Sequence, residues 1–320
     1  MTQKIKWGII GPGKIASAFA NDFKYAGYCA LHAIASRDDE KAKTFAEEFG
    51  AAKAYGSYEA LYADPEVEAV YIATPHNFHF ECAKAALEAG KAVLCEKPIT
   101  INPSELHSLI ETAKANDTYL MEGMWTYFLP AIQKAQQWVA EGRIGEVRHI
   151  KADFGFKVPF DPHSRLFNPN LAGGTILDIG IYNIAMATLF FHSKPTSMQV
   201  MAQKAPTGVD SDVNMLFEYP NGRKADLHTS FNYMLPNFAH IIGENGFISI
   251  PNFWQADACT LHLEGGIEKF EAKRQGFGFS YQIEAVSKDL LEGKKMSDTV
   301  PHSVSMLFQE VMEEVVSHFN

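Results

Sequence analysis

The feature that most constrains this chain is a glycine turn between a strand-like run and a helix-like run near its start. Residues 4–10 are β-rich, and Gly11, Pro12, Gly13, Lys14, Ile15 and Ala16 follow. Residues 14–26 then place Ile15, Phe19 and Phe23 on one helical stripe before Gly27 stops it. This G-x-G-x-x-A spacing has a mechanical reading. The first glycine permits the tight turn, and the second lets a pyrophosphate approach the backbone. The small Ala16 lets helix and strand pack closely, and the helix N-terminus faces the anion. A glycine turn that binds nothing is the alternative. The strand before it, the helix after it and the alternation beyond favour a dinucleotide.

That alternation continues through residue 122. Strand signals at 30–35, 68–73, 92–95 and 118–121 are separated by helix signals at 38–49, 77–89 and after Asn102, which precedes Pro103 as a cap before a first-turn proline. Such order predicts βαβ units with right-handed crossovers, hence an α/β fold: a Rossmann-type doubly wound parallel sheet over 1–122. Beyond it the pattern changes. A helix at 128–141, a strand at 146–154, a Pro/Asn-rich loop at 159–170 and a long apolar helix at 174–191 precede repeated strand signals over 196–271. Two helices, at 280–291 and 303–318, close the chain. This predicts a second, α+β domain over 123–320 with a large, mostly antiparallel sheet.

Composition narrows the function classes. With 47% hydrophobic and 21% charged residues the chain belongs with ordinary folded proteins. Its formal net charge of −10 argues against nucleic acid as a partner. The four cysteines, Cys29, Cys82, Cys95 and Cys259, show no CxxC spacing, so neither a zinc site nor a disulfide framework is expected. His76 and His79 have no carboxylate company that reads as a metal site. The run 175–191 is interrupted by Asp178 and Asn183 and is too short to cross a bilayer. A cytoplasmic protein without a membrane partner is the expectation.

Cofactor choice should be written at the end of the second strand. An NAD enzyme usually carries Asp or Glu there, whereas this chain has Ser36 and Arg37, which suit a 2′-phosphate. Asp38 and Asp39 follow, so a shifted register would place an acid there and favour NAD; a merely solvated Arg37 is a further alternative. Ligands of such sheets lie beyond the carboxyl ends of the strands. Two segments end there: Thr74, Pro75, His76, Asn77 and His79 after the third strand, and Glu96, Lys97 and Pro98 after the fourth. Position alone leaves Lys97 open between a crevice lysine and a loop lysine.

The G-x-G-x-x-A turn, Glu96-Lys97-Pro98, and Gly173, Gly174, Asp178, Gly180 and Tyr182 at their spacing resemble the Gfo/Idh/MocA oxidoreductase family, over nearly the whole chain. Within it, residues 54–58, 92–98, 120–125 and 177–182 are similar to the branch of trans-dihydrodiol and NADP-dependent D-xylose dehydrogenases. Many family members have His where this chain has Tyr182; that branch has Tyr. The resemblance implies NADP, with NAD possible, bound through Gly11, Gly13, Lys14, Ile15, Ser36, Arg37 and the two crevice segments. It implies Lys97, Tyr182 and Asp178 as catalytic residues, and Asp178 and Tyr182, four apart on one helix, would share a face. Trp125, Phe154, Trp254 and Phe279 are carried over as aromatic pocket walls, with core packing as the alternative for each. The implied reaction moves a hydride between nicotinamide and a secondary alcohol of a sugar, polyol or trans-dihydrodiol. The alternatives are a non-catalytic NADP-binding sensor and an NAD-dependent, glycosidase-type relative. The resemblance also implies a homodimer or larger assembly through an exposed face of the second sheet. The apolar alternation at Val213, Met215 and Phe217 is read as part of that face.

Overall fold

The computed structural model describes residues 3–319. The chain divides into two compact units, one running to Trp125 and including Arg274–Ser305, the other holding Thr126–Lys273 and the chain from Met306 on.

In the first unit β1 (Ile5–Ile10), β2 (Cys29–Ala35), β3 (Lys53–Tyr55), β4 (Ala69–Ile72), β5 (Ala92–Glu96) and β6 (Leu120–Gly123) form a parallel sheet in the order β3-β2-β1-β4-β5-β6. β4 and β5 are buried at every position, as expected of central strands covered on both faces. The order reverses between β1 and β4, which opens a crevice beyond their carboxyl ends. Three-residue β3 escapes any periodicity argument because it is shorter than one full alternation. The helix Asp39–Phe49 begins on Asp38, whose carboxylate accepts the Lys41 N–H at 3.2 Å, and ends at Gly50 with φ 71°. Asn102 caps Pro103–Ala115 by accepting the Glu105 N–H at 2.9 Å.

The sequence boundary at 122/123 assigns all the later chain to the second domain; the structure returns Arg274–Ser305 to the first unit. Polar bonds, buried and exposed, hold it there. Trp7 Nε1 donates to Ser287 Oγ at 3.1 Å, and Glu284 accepts the Gly27 N–H at 2.7 Å. The fully buried Asp22 carboxylate accepts the N–H groups of Phe277 and Phe279 at 2.9 and 2.7 Å. These partners lie more than 250 residues apart, so no local pattern records them.

In the second unit β7 (Val147–Gly155), β8 (Ser197–Lys204), β9 (Asp210–Glu218), β10 (Lys224–Ser230), β11 (Phe238–Gly243), β12 (Gly246–Pro251), β13 (Ala258–Leu263) and β14 (Gly266–Glu271) form a mixed sheet in the order β14-β13-β12-β11-β7-β10-β9-β8. Only β7 and β10 pair in parallel; the rest are antiparallel. The helix Ile181–Phe191 is buried along its whole length. Asn183 Nδ2 donates to the His228 carbonyl at 2.7 Å and so ties it to β10. The segment Pro169–Phe191 has the length and apolarity of a membrane span, but 94% of its most apolar window is buried inside the protein, where it serves as a core helix. Val213, Met215 and Phe217 also point into this core, at 0–1% exposure. That corrects their reading as an assembly surface: with a two-residue period, the outward row of β9 is Asp212, Asn214 and Leu216. The outer face carries a shallow groove of about 420 Å³ lined by Lys151, Asp153, Asn214, Asp226, His228 and His240.

Candidate functional site

The glycine turn has the geometry its spacing requires. Gly11 has φ 76°, and a Cβ there would meet the backbone of Ala73 and Thr74 at 2.9–3.0 Å. Gly13 is exposed, and a Cβ there would find its nearest neighbour, Gly11 O, only at 3.8 Å. It stands at the N-cap of Lys14–Asp22 with no side chain on the first-turn N–H groups. An open glycine beside an uncapped helix N-terminus fits a dinucleotide pyrophosphate. Beyond β2, Ser36 Oγ accepts the Asp38 N–H at 3.2 Å, and the exposed Arg37 guanidinium lies 5.5 Å above the Phe78 ring. Asp38 is occupied as a helix cap and Asp39 pairs with Lys43 at 2.7 Å.

Lys97 leaves the carboxyl end of β5 half-buried, on a turn gripped from three sides. The Tyr71 hydroxyl donates to the Glu96 carboxylate. His79 lies with Nδ1 2.7 Å from the Pro98 carbonyl and Nε2 2.8 Å from the Thr74 carbonyl. Glu122, at the end of β6, accepts the Ile99 N–H at 2.9 Å. Burial pushes the His79 imidazole down to about 4, against the two carbonyls that raise it. Burial pushes the Glu122 carboxyl up to about 7, against the Ser305 hydroxyl, the Ile99 N–H and the Lys97 ammonium.

In the second unit the Gly-Gly pair explains how the Asp178–Tyr182 segment is built. A Cβ on Gly173 would collide with the backbone of Arg165, Leu166 and Asn168 at 2.8–3.0 Å. Gly174, at φ 124°, leaves room for the Asp210 carboxylate, which a Cβ would overlap. Asp210 accepts the Thr175 hydroxyl at 2.7 Å and the Ile176 N–H at 2.8 Å, and so caps the segment. Its carboxyl is pushed up by burial, with those donors opposing. Ile176–Gly180 is a π-helical turn, which runs into the α-helix Ile181–Phe191; the sequence predicts one continuous α-helix here. Asp178 and Tyr182 are both buried. Asp178 accepts from Arg165 Nη1 at 2.7 Å. The Tyr182 ring meets Phe154 edge-on at 5.8 Å, and Phe154 stacks on Trp254 at 4.0 Å.

Residues 5–124 match the oxidoreductase family with an NAD-binding Rossmann fold, and residues 132–249 match the GFO/IDH/MocA C-terminal domain. The trans-1,2-dihydrobenzene-1,2-diol dehydrogenase of Mus musculus is 35% identical over 97% of this chain and 95% of its own. The chain belongs to the Gfo/Idh/MocA oxidoreductase family. The enzyme of the same name from Homo sapiens is 34% identical over 97% of this chain and 96% of its own. Among solved structures, the aldose-aldose oxidoreductase of Caulobacter crescentus superposes with TM-score 0.91 at 25% identity, covering 98% of this chain and 97% of that one. A 3-ketoreductase of Actinomadura kijaniata in complex with NADP gives 0.86 at 25% identity, covering 98% of both chains.

Within this Gfo/Idh/MocA chain the four expected aromatics separate into two pairs. Trp125 and Phe279 lie 4.9 Å apart in the first unit, and Phe154 and Trp254 stack in the second. His79, expected among the cofactor residues, is fully buried with both ring nitrogens on carbonyls, so it presents no surface to a ligand and holds the Pro98 backbone instead. Lys14 and Ile15 stand exposed at the helix start, and His76 and Asn77 are half-exposed. All four cysteines are free and buried. Among the described residues His32, Asp64 and Glu66 gather as metal ligands would, but Lys53 Nζ sits 3.1 Å from Asp64 and 2.7 Å from Glu66. Burial raises the Asp64 carboxyl; the Glu66 N–H, Lys53 and Tyr55 outweigh it and hold the group down at about 2. The cluster is thus a partly exposed ion-pair network around the buried Asp64. Sequence reasoning missed Arg165, Glu122 and Asp210. Their partners come from other elements, and only the Pro/Asn-rich loop around Arg165 stood out beforehand.

Proposed function

We propose that the chain is an NADP-dependent dehydrogenase that oxidises, or in reverse forms, a secondary alcohol on a cyclic polyol: an aldose or a trans-dihydrodiol. The observation that carries this reading is Lys97, presented from the carboxyl end of β5 on a turn whose backbone is held by His79 and Glu122. The dihydrodiol dehydrogenases matched over 97% of the chain support the substrate class. When bound, the nicotinamide exchanges hydride with the substrate carbon. The chain's own task is the hydroxyl proton. Tyr182 is the base in this reading, Lys97 binds the substrate oxygen and favours the phenolate, and Asp178 orients the substrate. The aromatic walls Phe154 and Trp254 suit the apolar face of a ring. Arg37, with Asp38 and Asp39 engaged elsewhere, supports NADP over NAD. A cytoplasmic home is consistent with four free thiols.

A panel of aldoses and dihydrodiols assayed with NADP and NAD tests the reading. Tyr182→Phe keeps the ring and loses the hydroxyl, so cofactor affinity should survive while kcat falls about 10²–10⁴-fold. Lys97→Met should do similar damage, and the double variant should fall far short of additive. No turnover with any substrate would leave the sensor reading. Near-normal kcat in Tyr182→Phe with an inactive Lys97→Met would make Lys97 the base.

A further inference from the structure

The loop at 159–170 has no role in the mechanism above, yet it delivers a charged side chain onto one of its residues. Arg165 Nη1 lies 2.7 Å from Asp178 Oδ1, joining a half-exposed guanidinium (53%) to a carboxylate only 8% exposed. The loop backbone is hydrogen-bonded to itself and to the glycine pair. Gly173 N and Gly174 N donate to the Asn168 and Leu166 carbonyls at 3.0 and 2.9 Å, and Phe167 N and Asn168 N donate to Ser164 O at 3.1 and 3.0 Å. Phe167 is buried between Phe160 and Phe231, with ring centroids 5.2 and 5.7 Å away. The absence of a side chain at Gly173 is what admits the Arg165–Leu166 backbone at this distance. The same glycine pair therefore sets both the start of the Asp178–Tyr182 segment and the root of the arginine that reaches back to it.

We propose that Arg165 is a positioning residue for this enzyme: its guanidinium fixes the orientation of the Asp178 carboxylate. The inference rests on the reading above, in which Asp178 orients the substrate. The guanidinium holds Asp178 Oδ1 in one place by a charge-assisted hydrogen bond; without it the carboxylate is free to rotate, which misplaces the acceptor the substrate needs. Arg165 acts through Asp178 and need not touch the substrate.

The test uses the full chain with NADP and the best substrate from the panel. Arg165→Ala should lower kcat/KM about 10–100-fold, the size of effect expected when a reacting group is misplaced by about an ångström. NADPH affinity, read by fluorescence titration, should stay within about twofold. Added guanidinium chloride at tens of millimolar should restore part of the lost rate in Arg165→Ala, with sodium chloride at equal ionic strength as control. Arg165→Lys retains the charge and should stay within a few-fold of the parent, which also guards against a folding defect in the alanine variant. Arg165→Ala/Asp178→Asn should be no slower than Asp178→Asn alone. Wild-type kcat/KM in Arg165→Ala, absence of rescue by both guanidinium and lysine, or full additivity with Asp178→Asn would each overturn the inference. An inactive Asp178→Asn beside an unimpaired Arg165→Ala would remove this inference alone. A fully active Asp178→Asn would remove the role given to Asp178 as well.

Discussion

Arg37 and Glu122 show how differently single residues announce themselves. Arg37 follows β2 in sequence and needs no tertiary contact to be suspected. Arg37→Ala should weaken NADP more than NAD by roughly 1.5–3 kcal/mol, the worth of a charge-assisted bond. Equal loss for both cofactors in a titration would place the 2′-phosphate elsewhere. Glu122 is invisible by comparison, because its importance comes from a backbone N–H some 23 residues away. An unfolded glutamate ionises near 4.5; this folded one keeps its proton up to about 7. Between those values the native chain binds a proton that the unfolded chain does not. Glu122 therefore costs stability progressively as pH rises from 4.5 to 7, by about 3 kcal/mol in all, and the cost is constant above. His79 runs the other way: unfolded it protonates below 6.5, folded only near 4, so its stabilisation is lost as pH falls through that window. Glu122→Gln still accepts the Ile99 N–H but cannot ionise. In urea unfolding it should exceed the parent in stability at pH 8, with the gain shrinking toward pH 5. A gain that does not vary with pH would mean that Glu122 is not the titrating group.

Elements were most readable where period and cap agree. The helices Asp39–Phe49 and Pro103–Ala115 start on Asp38 and Asn102 because those side chains satisfy first-turn N–H groups. The Asp178–Tyr182 segment was readable as a helix but not as a π-helical turn, and the Asp210 carboxylate that binds its first N–H arrives from β9, more than thirty residues on. Gly174→Ala tests this element. The position combines φ 124° with an Asp210 carboxylate where the Cβ would go, so the variant should lose on the order of 2–4 kcal/mol and turnover with it. Gly208→Ala is the control: its φ is 93°, but nothing lies within 4 Å, so it carries the backbone penalty alone and should cost less. Equal losses in thermal or urea unfolding would mean that the Asp210 contact contributes nothing.

For the whole molecule, a two-fold dimer through the outer face of the eight-stranded sheet remains our proposal. That face exposes Leu216 (50%) and Met201 (71%) beside the groove of Lys151, Asp226 and His228. Leu216→Arg should yield a monomer by light scattering at micromolar concentration with unchanged unfolding. Its inward neighbour Met215→Ala should instead cost about 2–5 kcal/mol through a core cavity. A wild-type chain that is already monomeric would end the proposal.

The parallel sheet apart from β3, the glycine cradle, the Ser36-Arg37 corner and the place of Lys97 after β5 follow from sequence alone. Each is specified by residues within a few positions of one another, through periodicity, caps and backbone freedom. Only the tertiary structure decided which face of β9 is covered, that Arg274–Ser305 joins the first unit, and which side chains grip the Lys97 turn and Asp178. Those outcomes depend on burial and on hydrogen bonds between distant segments. A buried donor or acceptor must find its partner wherever the fold brings one, and linear sequence does not record that distance.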